Sequence, residues 1–82
     1  MPPQNIEAEE AVLGAIMLKA EAFSIVSEVL TPEDFYRESH RVLFKTMQEL
    51  FYDHQAIDMV TVVESLRKKK ELDKISIVMD FE

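Results

Sequence analysis

From Glu33 to the end of this 82-residue chain there is neither a proline nor a glycine, and Gly14 is the only glycine before it. Tight hairpin turns rely on glycine, proline and asparagine for their special backbone angles, so a chain this poor in them favours helices over hairpins. The expected fold is all-α, a compact bundle of about four to five short helices. A domain of this length buries only roughly 60–65% of its unfolded surface, so one thin core does all the stabilising. The absence of cysteine removes disulfides and thiolate metal sites, and fits a reducing cytoplasm.

Capping signals divide the chain. Asn5 is a good N-cap for a helix reaching Leu18, with Glu7, Glu9 and Glu10 where the helix dipole favours negative charge. Ile6, Leu13, Ile16 and Met17 share a face, and the run from Ala11 is apolar nearly all round, which predicts a central helix. Gly14 costs ~1 kcal/mol there relative to alanine, so a neighbouring helix is expected to approach it closely. A second helix fits Glu21 to Leu30, with Phe23, Val26, Val29 and Leu30 inward. Thr31-Pro32 breaks it and opens a new turn, with Glu33 and Asp34 at its positive end.

Tyr36, His40, Leu43, Phe44, Met47, Leu50 and Phe51 then follow at steps of three and four, the strongest amphipathic signal in the chain. It predicts a helix from about Arg37 to Asp53. Ile57 to Val62 is rich in β-branched residues, but Asp58 as N-cap makes Ile57 and Val62 a hydrophobic staple, so a helix is expected. Val60, Val63 and Leu66 continue its buried face, and Arg67 to Lys70 occupy its last turn.

Asp34, Ser39 and His40 are the residue types of a hydrolytic triad. Adjacent helical residues point about 100° apart, however, so Ser39 and His40 cannot face one substrate atom together. His40 is expected to pack in the core, and Tyr36 to sit at its rim. No metal site is expected: His54 lies beyond the helix, and no carboxylate spacing resembles a zinc or calcium motif. There is no glycine-rich phosphate loop, so no cofactor is expected. Arg37, Arg41 and Arg67 to Lys70 are weak grounds for nucleic-acid contact, since no aromatic interleaves with the basic run to stack bases.

Charge is uneven. Residues 1–36 hold seven acidic groups against Lys19 alone, a balance of −6 within the total of −7. That half repels phosphate and suits a basic protein partner. The longest apolar stretch, around Gly14, falls far short of the ~18–20 residues needed to span a bilayer. Met1-Pro2-Pro3 lacks the features of a secretory signal, so a soluble cytoplasmic domain is expected.

The segments PPQNIEAEEAVLGAIML, TPEDFYRESHRVLFKTMQEL and IDMVTVVESLRKKKELD, in this order and spacing, closely resemble the N-terminal domain of the bacterial replicative DNA helicase, DnaB. The resemblance covers residues 2–74, so residues 1–74 are expected to form the domain. It implies an all-helical, non-catalytic module that helps assemble the collar of a helicase ring and docks the C-terminal domain of primase. Other helicase subunits and a helicase loader are further implied partners, and helicase activity is not expected from this chain alone. Residues 75–82 depart from the family pattern: Ile75-Ser76-Ile77-Val78-Met79 stands where the family has a glycine pair and a further helix. Such an apolar tail can close over the core or pair with a second copy. It also motivates an alternative, a stand-alone regulator that binds a helicase ring or its loader and competes with the native collar. Glu7 and Glu10, on the outer side of the first helix, are the candidate partner contacts.

Overall fold

The computed structural model describes residues 5–69, which form four α-helices and one 3-10 turn. They are α1 (Ile6–Leu18), α2 (Ala22–Val26), the 3-10 turn Pro32–Asp34, α3 (Glu38–Tyr52) and α4 (Met59–Lys68). The all-α expectation holds, with no strand among the described residues. The expectations for Lys70 and for residues 75–82 lie outside them.

The caps behave as their chemistry requires. The Asn5 side chain accepts the Ala8 N–H at 2.9 Å and starts α1. Asp58 accepts the Thr61 N–H at 2.9 Å, while the Thr61 hydroxyl accepts the Asp58 N–H at 3.0 Å, closing a reciprocal capping box on α4. Asp34 accepts the Thr31 N–H at 2.8 Å across the proline turn. α3 ends in a Schellman motif: the His54 N–H donates to the Phe51 carbonyl at 3.1 Å and the Gln55 N–H to the Leu50 carbonyl at 2.9 Å. His54 takes the left-handed position, φ 60°, that glycine usually fills.

The central helix is α3, not α1. α3 packs against α1, α4 and the 3-10 turn and buries Ser39, His40, Leu43, Phe44, Thr46, Met47 and Leu50. Phe44 is enclosed, with ring centroids 5.2 Å from Phe23 and 5.0 Å from Phe35. α1 buries only Leu13 and Ile16, and leaves Ala11, Gly14, Ala15 and Leu18 exposed, Leu18 at 91%. Apolar composition alone cannot say which side of a helix is covered; among the described residues α1 meets neighbours on one side only. The expected close approach at Gly14 is absent among the described residues, since a Cβ built there meets none of their atoms within 4 Å. Gly14→Ala therefore stabilises the domain by about 0.5–1 kcal/mol, visible as a higher urea midpoint. A lower midpoint would contradict the open surroundings of this position.

Two further faces differ from expectation. α2 is shorter than the span to Leu30, and Val29 points outward at 76% exposure. Ser24 and Ser27 donate their hydroxyls to the carbonyls of Glu21 and Ser24, at 3.0 and 3.2 Å. Such local bonds weaken short helices. The chain after Val26 tightens into three-residue turns, Glu28 N–H to Ile25 and Val29 N–H to Val26. In α4, Val62 and Leu66 are buried while Val60 is 69% exposed. The staple between Ile57 and Val62 sets the inward face, and Val60, two residues away, stands roughly 200° around the helix.

Candidate functional site

The stretch rich in chemistry, Asp34 to Arg41, is consumed by structure. Its aspartate accepts the Thr31 N–H, and the buried Ser39 hydroxyl has no hydrogen-bond partner among the described residues. Arg41 Nη1 donates to the Phe35 carbonyl at 2.9 Å and the Tyr36 carbonyl at 3.0 Å, bracing the link into α3. Tyr36 lies on that link and is exposed, as expected for a rim residue. The triad residue types thus do not converge: Asp34 turns to the Thr31 N–H, His40 to Glu9, and Ser39 to neither.

His40, 1% exposed, turns to α1 instead. Its Nδ1 donates to Glu9 Oε1 at 2.7 Å, the tautomer required because a carboxylate only accepts. Glu9 Oε2 accepts the Tyr36 N–H at 2.6 Å. Burial pushes the Glu9 carboxyl up. The Tyr36 N–H, the His40 ring and the Arg37 N–H together outweigh it and hold the carboxyl below its ordinary value of 4.5. His40 Nε2 is buried without a hydrogen-bond partner among the described residues. One carboxylate therefore ties the first turns of α1 to the start of α3 across 31 residues.

The sequence reading did not single out this role of Glu9. The signal was there: Glu9, Leu13 and Ile16 stand at i, i+4 and i+7, so a carboxylate shares the buried stripe of α1 and needs donors. Glu7 and Glu10 flank it and are exposed. The basic run is partly engaged, because Lys69 Nζ donates to Glu49 Oε1 at 2.7 Å and to Thr46 Oγ1 at 3.3 Å. Arg67 and Lys68 are exposed. Among the described residues no group of three or more His, Cys, Asp or Glu is placed to hold a metal ion, and no helix is long and apolar enough to cross a membrane.

Among the described residues the outer face of α1 is accessible. Ala11, Gly14, Ala15 and Leu18 form a shallow apolar groove with Met17 and with Met59 of α4. By helical spacing Glu7 continues the row Ala11, Gly14, Leu18, with Glu10 beside it. A face that is acidic at one end and apolar along the rest has the makings of a contact surface, not a catalytic one.

A family model for the DnaB-like helicase N-terminal domain matches residues 1–80. The chain belongs to this family. The replicative DNA helicase DnaC of Bacillus subtilis is 47% identical over 75 residues, covering 92% of this chain but 16% of that protein. The replicative DNA helicase DnaB of Geobacillus stearothermophilus is 44% identical over 75 residues, again 92% of this chain and 16% of the relative. A crystal structure of the N-terminal domain of DnaB helicase from Mycobacterium tuberculosis superposes with a TM-score of 0.86 at 36% identity. That match spans 92% of this chain and 52% of the solved one. This chain therefore corresponds to the N-terminal domain of a replicative helicase, and spans a small part of its relatives' length.

Proposed function

We propose that this domain is a non-catalytic interaction module of the replicative helicase in DNA replication. It supports assembly of the helicase collar with other subunits and docks the C-terminal domain of primase. The observation that carries the reading is the family match over residues 1–80, in a chain whose Asp34, Glu9 and His40 side chains bind within its own fold. A helicase loader is a further partner of the same class.

Glu7 and Glu10 are the proposed partner contacts, exposed on α1 and set in the strongly acidic half of the chain. Amide NMR spectra, recorded before and after adding the C-terminal domain of the cognate primase, test this. Peaks from the first turns of α1 shift together, and Glu7→Lys with Glu10→Lys slows association by roughly tenfold through lost steering. The fold is unaffected, since exposed substitutions usually change stability by under about 0.5 kcal/mol. Shifts at another surface would remove Glu7 and Glu10 from the contact, and no shifts would remove primase docking from residues 1–82.

A further inference from the structure

A small hollow of about 150 Å³ lies where the first turns of α1 face the 3-10 turn, lined by Ala8, Glu9, Val12, Leu30, Asp34 and Phe35. It is separate from the α1 groove beside Met59. Its walls are mostly apolar, and its volume suits one side chain, since an apolar cavity of about 150 Å³ holds a molecule the size of benzene. Its surroundings are acidic: Glu7, Glu33 and Asp34 are exposed on the two segments that form it, α1 and the turn. We propose that the hollow seats one arginine side chain of a basic protein partner. The methylene stem lies against Val12, Leu30 and Phe35, and the guanidinium binds the Asp34 carboxylate.

The two carboxylates of the hollow are not equivalent. Both oxygens of Glu9 are taken, by the His40 ring and the Tyr36 N–H. Asp34 uses only Oδ2, which accepts the Thr31 N–H at 2.8 Å and the Thr31 hydroxyl at 3.3 Å. Among the described residues no basic side chain pairs with Asp34, so its Oδ1 keeps acceptor capacity for an incoming cation. A purely apolar anchor is disfavoured, because a leucine seated there would take water from this carboxylate and give it no donor. Arginine meets both demands: its stem lies along apolar surface while its charged fork binds a carboxylate. It is also less strongly hydrated than lysine, so it enters such a contact more readily. A second copy of this chain is a poor source of that side chain, since at a net charge of −7 each the two copies repel. The assignment deepens the proposed docking of a partner on the acidic half of the chain, and rests on that reading for its biological use.

n-Propylguanidinium, an arginine side chain without its backbone, tests the hollow directly in the isotope-labelled 82-residue chain. The expected result is that amide peaks of Ala8, Val12 and Phe35 shift together and saturate, with a dissociation constant of roughly 1–10 mM for so small a ligand. Methylguanidinium, which lacks the stem, and n-butanol, which lacks the charge, each bind about fivefold or more weakly. Asp34→Asn weakens propylguanidinium by about tenfold and keeps the turn, because asparagine still accepts the Thr31 N–H. Ala8→Leu, at an exposed helical position, fills the hollow and abolishes the shifts, and dispersed spectra show that both variants are folded. Shifts centred on Glu7 or Glu10, equal binding of methylguanidinium or butanol, or no saturable shift would overturn the proposal. The C-terminal domain of the cognate primase supplies a second readout, its binding weakened about tenfold by Ala8→Leu. Primase binding indifferent to Ala8→Leu would overturn the arginine seat and leave docking intact. Primase that does not bind at all would remove the docking reading, and the guanidinium titration alone then decides the hollow.

Discussion

Phe44→Ala destabilises the domain by about 3–5 kcal/mol, the usual range for emptying a fully buried phenylalanine site. Phe44 has no exposed surface and sits at the centre of α3 between Phe23 and Phe35, each with its ring centroid near 5 Å away. Those two rings come from the α2 segment and from the link after the proline turn, so the cavity loosens three parts of the chain together. A domain of this size has a total stability of roughly 4–12 kcal/mol at about 0.05–0.15 kcal/mol per residue. The variant therefore loses a large share of it, and its melting temperature falls by roughly 12–40 °C at about 4–8 °C per kcal/mol. Urea melts followed by circular dichroism measure the change, with Val60→Ala as an exposed control near zero. A cost below about 1 kcal/mol would mean that the three rings are not the centre of the core.

Glu9→Gln has the second largest effect and a distinctive pH dependence. Near neutral pH the substitution costs about 1–3 kcal/mol, because the buried His40 ring and the Tyr36 N–H lose their charged acceptor. The Glu9 carboxyl is held below its ordinary value of 4.5 in the folded state. Folding then favours the ionised form, so this stabilisation is fully present above 4.5 and is lost as pH falls through the lower folded value. Urea melts of both proteins from neutral to acid pH show the gap between them narrowing below about 4.5, with most of the narrowing on the wild-type side. Parallel curves throughout would show that Glu9 makes no such contribution.

The parts of this fold that were legible in the sequence share one property: they are decided within a few residues. Asn5 and Asp58 each accept a backbone N–H three positions on, and at the Thr31-Pro32 turn the Asp34 carboxylate reaches back to the Thr31 N–H, so these elements start whatever else the chain does. The stripe from His40 to Leu50 was readable because apolar residues recur on one face of α3 while Arg41, Lys45, Gln48 and Glu49 fall on the other. The end of α3 was placed nearly as well, although its Schellman closure passes through His54 without the glycine that normally announces it. The candidate site was less legible. Glu7, Glu9 and Glu10 look alike as first-turn acids, and only the phase of the helix against its neighbours separates the one that turns inward.

By itself the sequence determined an all-helical domain, where three of its helices start, and the pattern of residues that marks the DnaB-like N-terminal family. The tertiary structure alone decided that α3 is central, that α1 turns Gly14 and Leu18 outward, that α4 buries Val62 and not Val60, and that Glu9 is clamped by His40. The reason is range. A cap is a hydrogen bond between near neighbours, written in adjacent letters. The buried side of a nearly uniform apolar helix depends instead on surfaces supplied by segments tens of residues away, and those are set only when the helices pack.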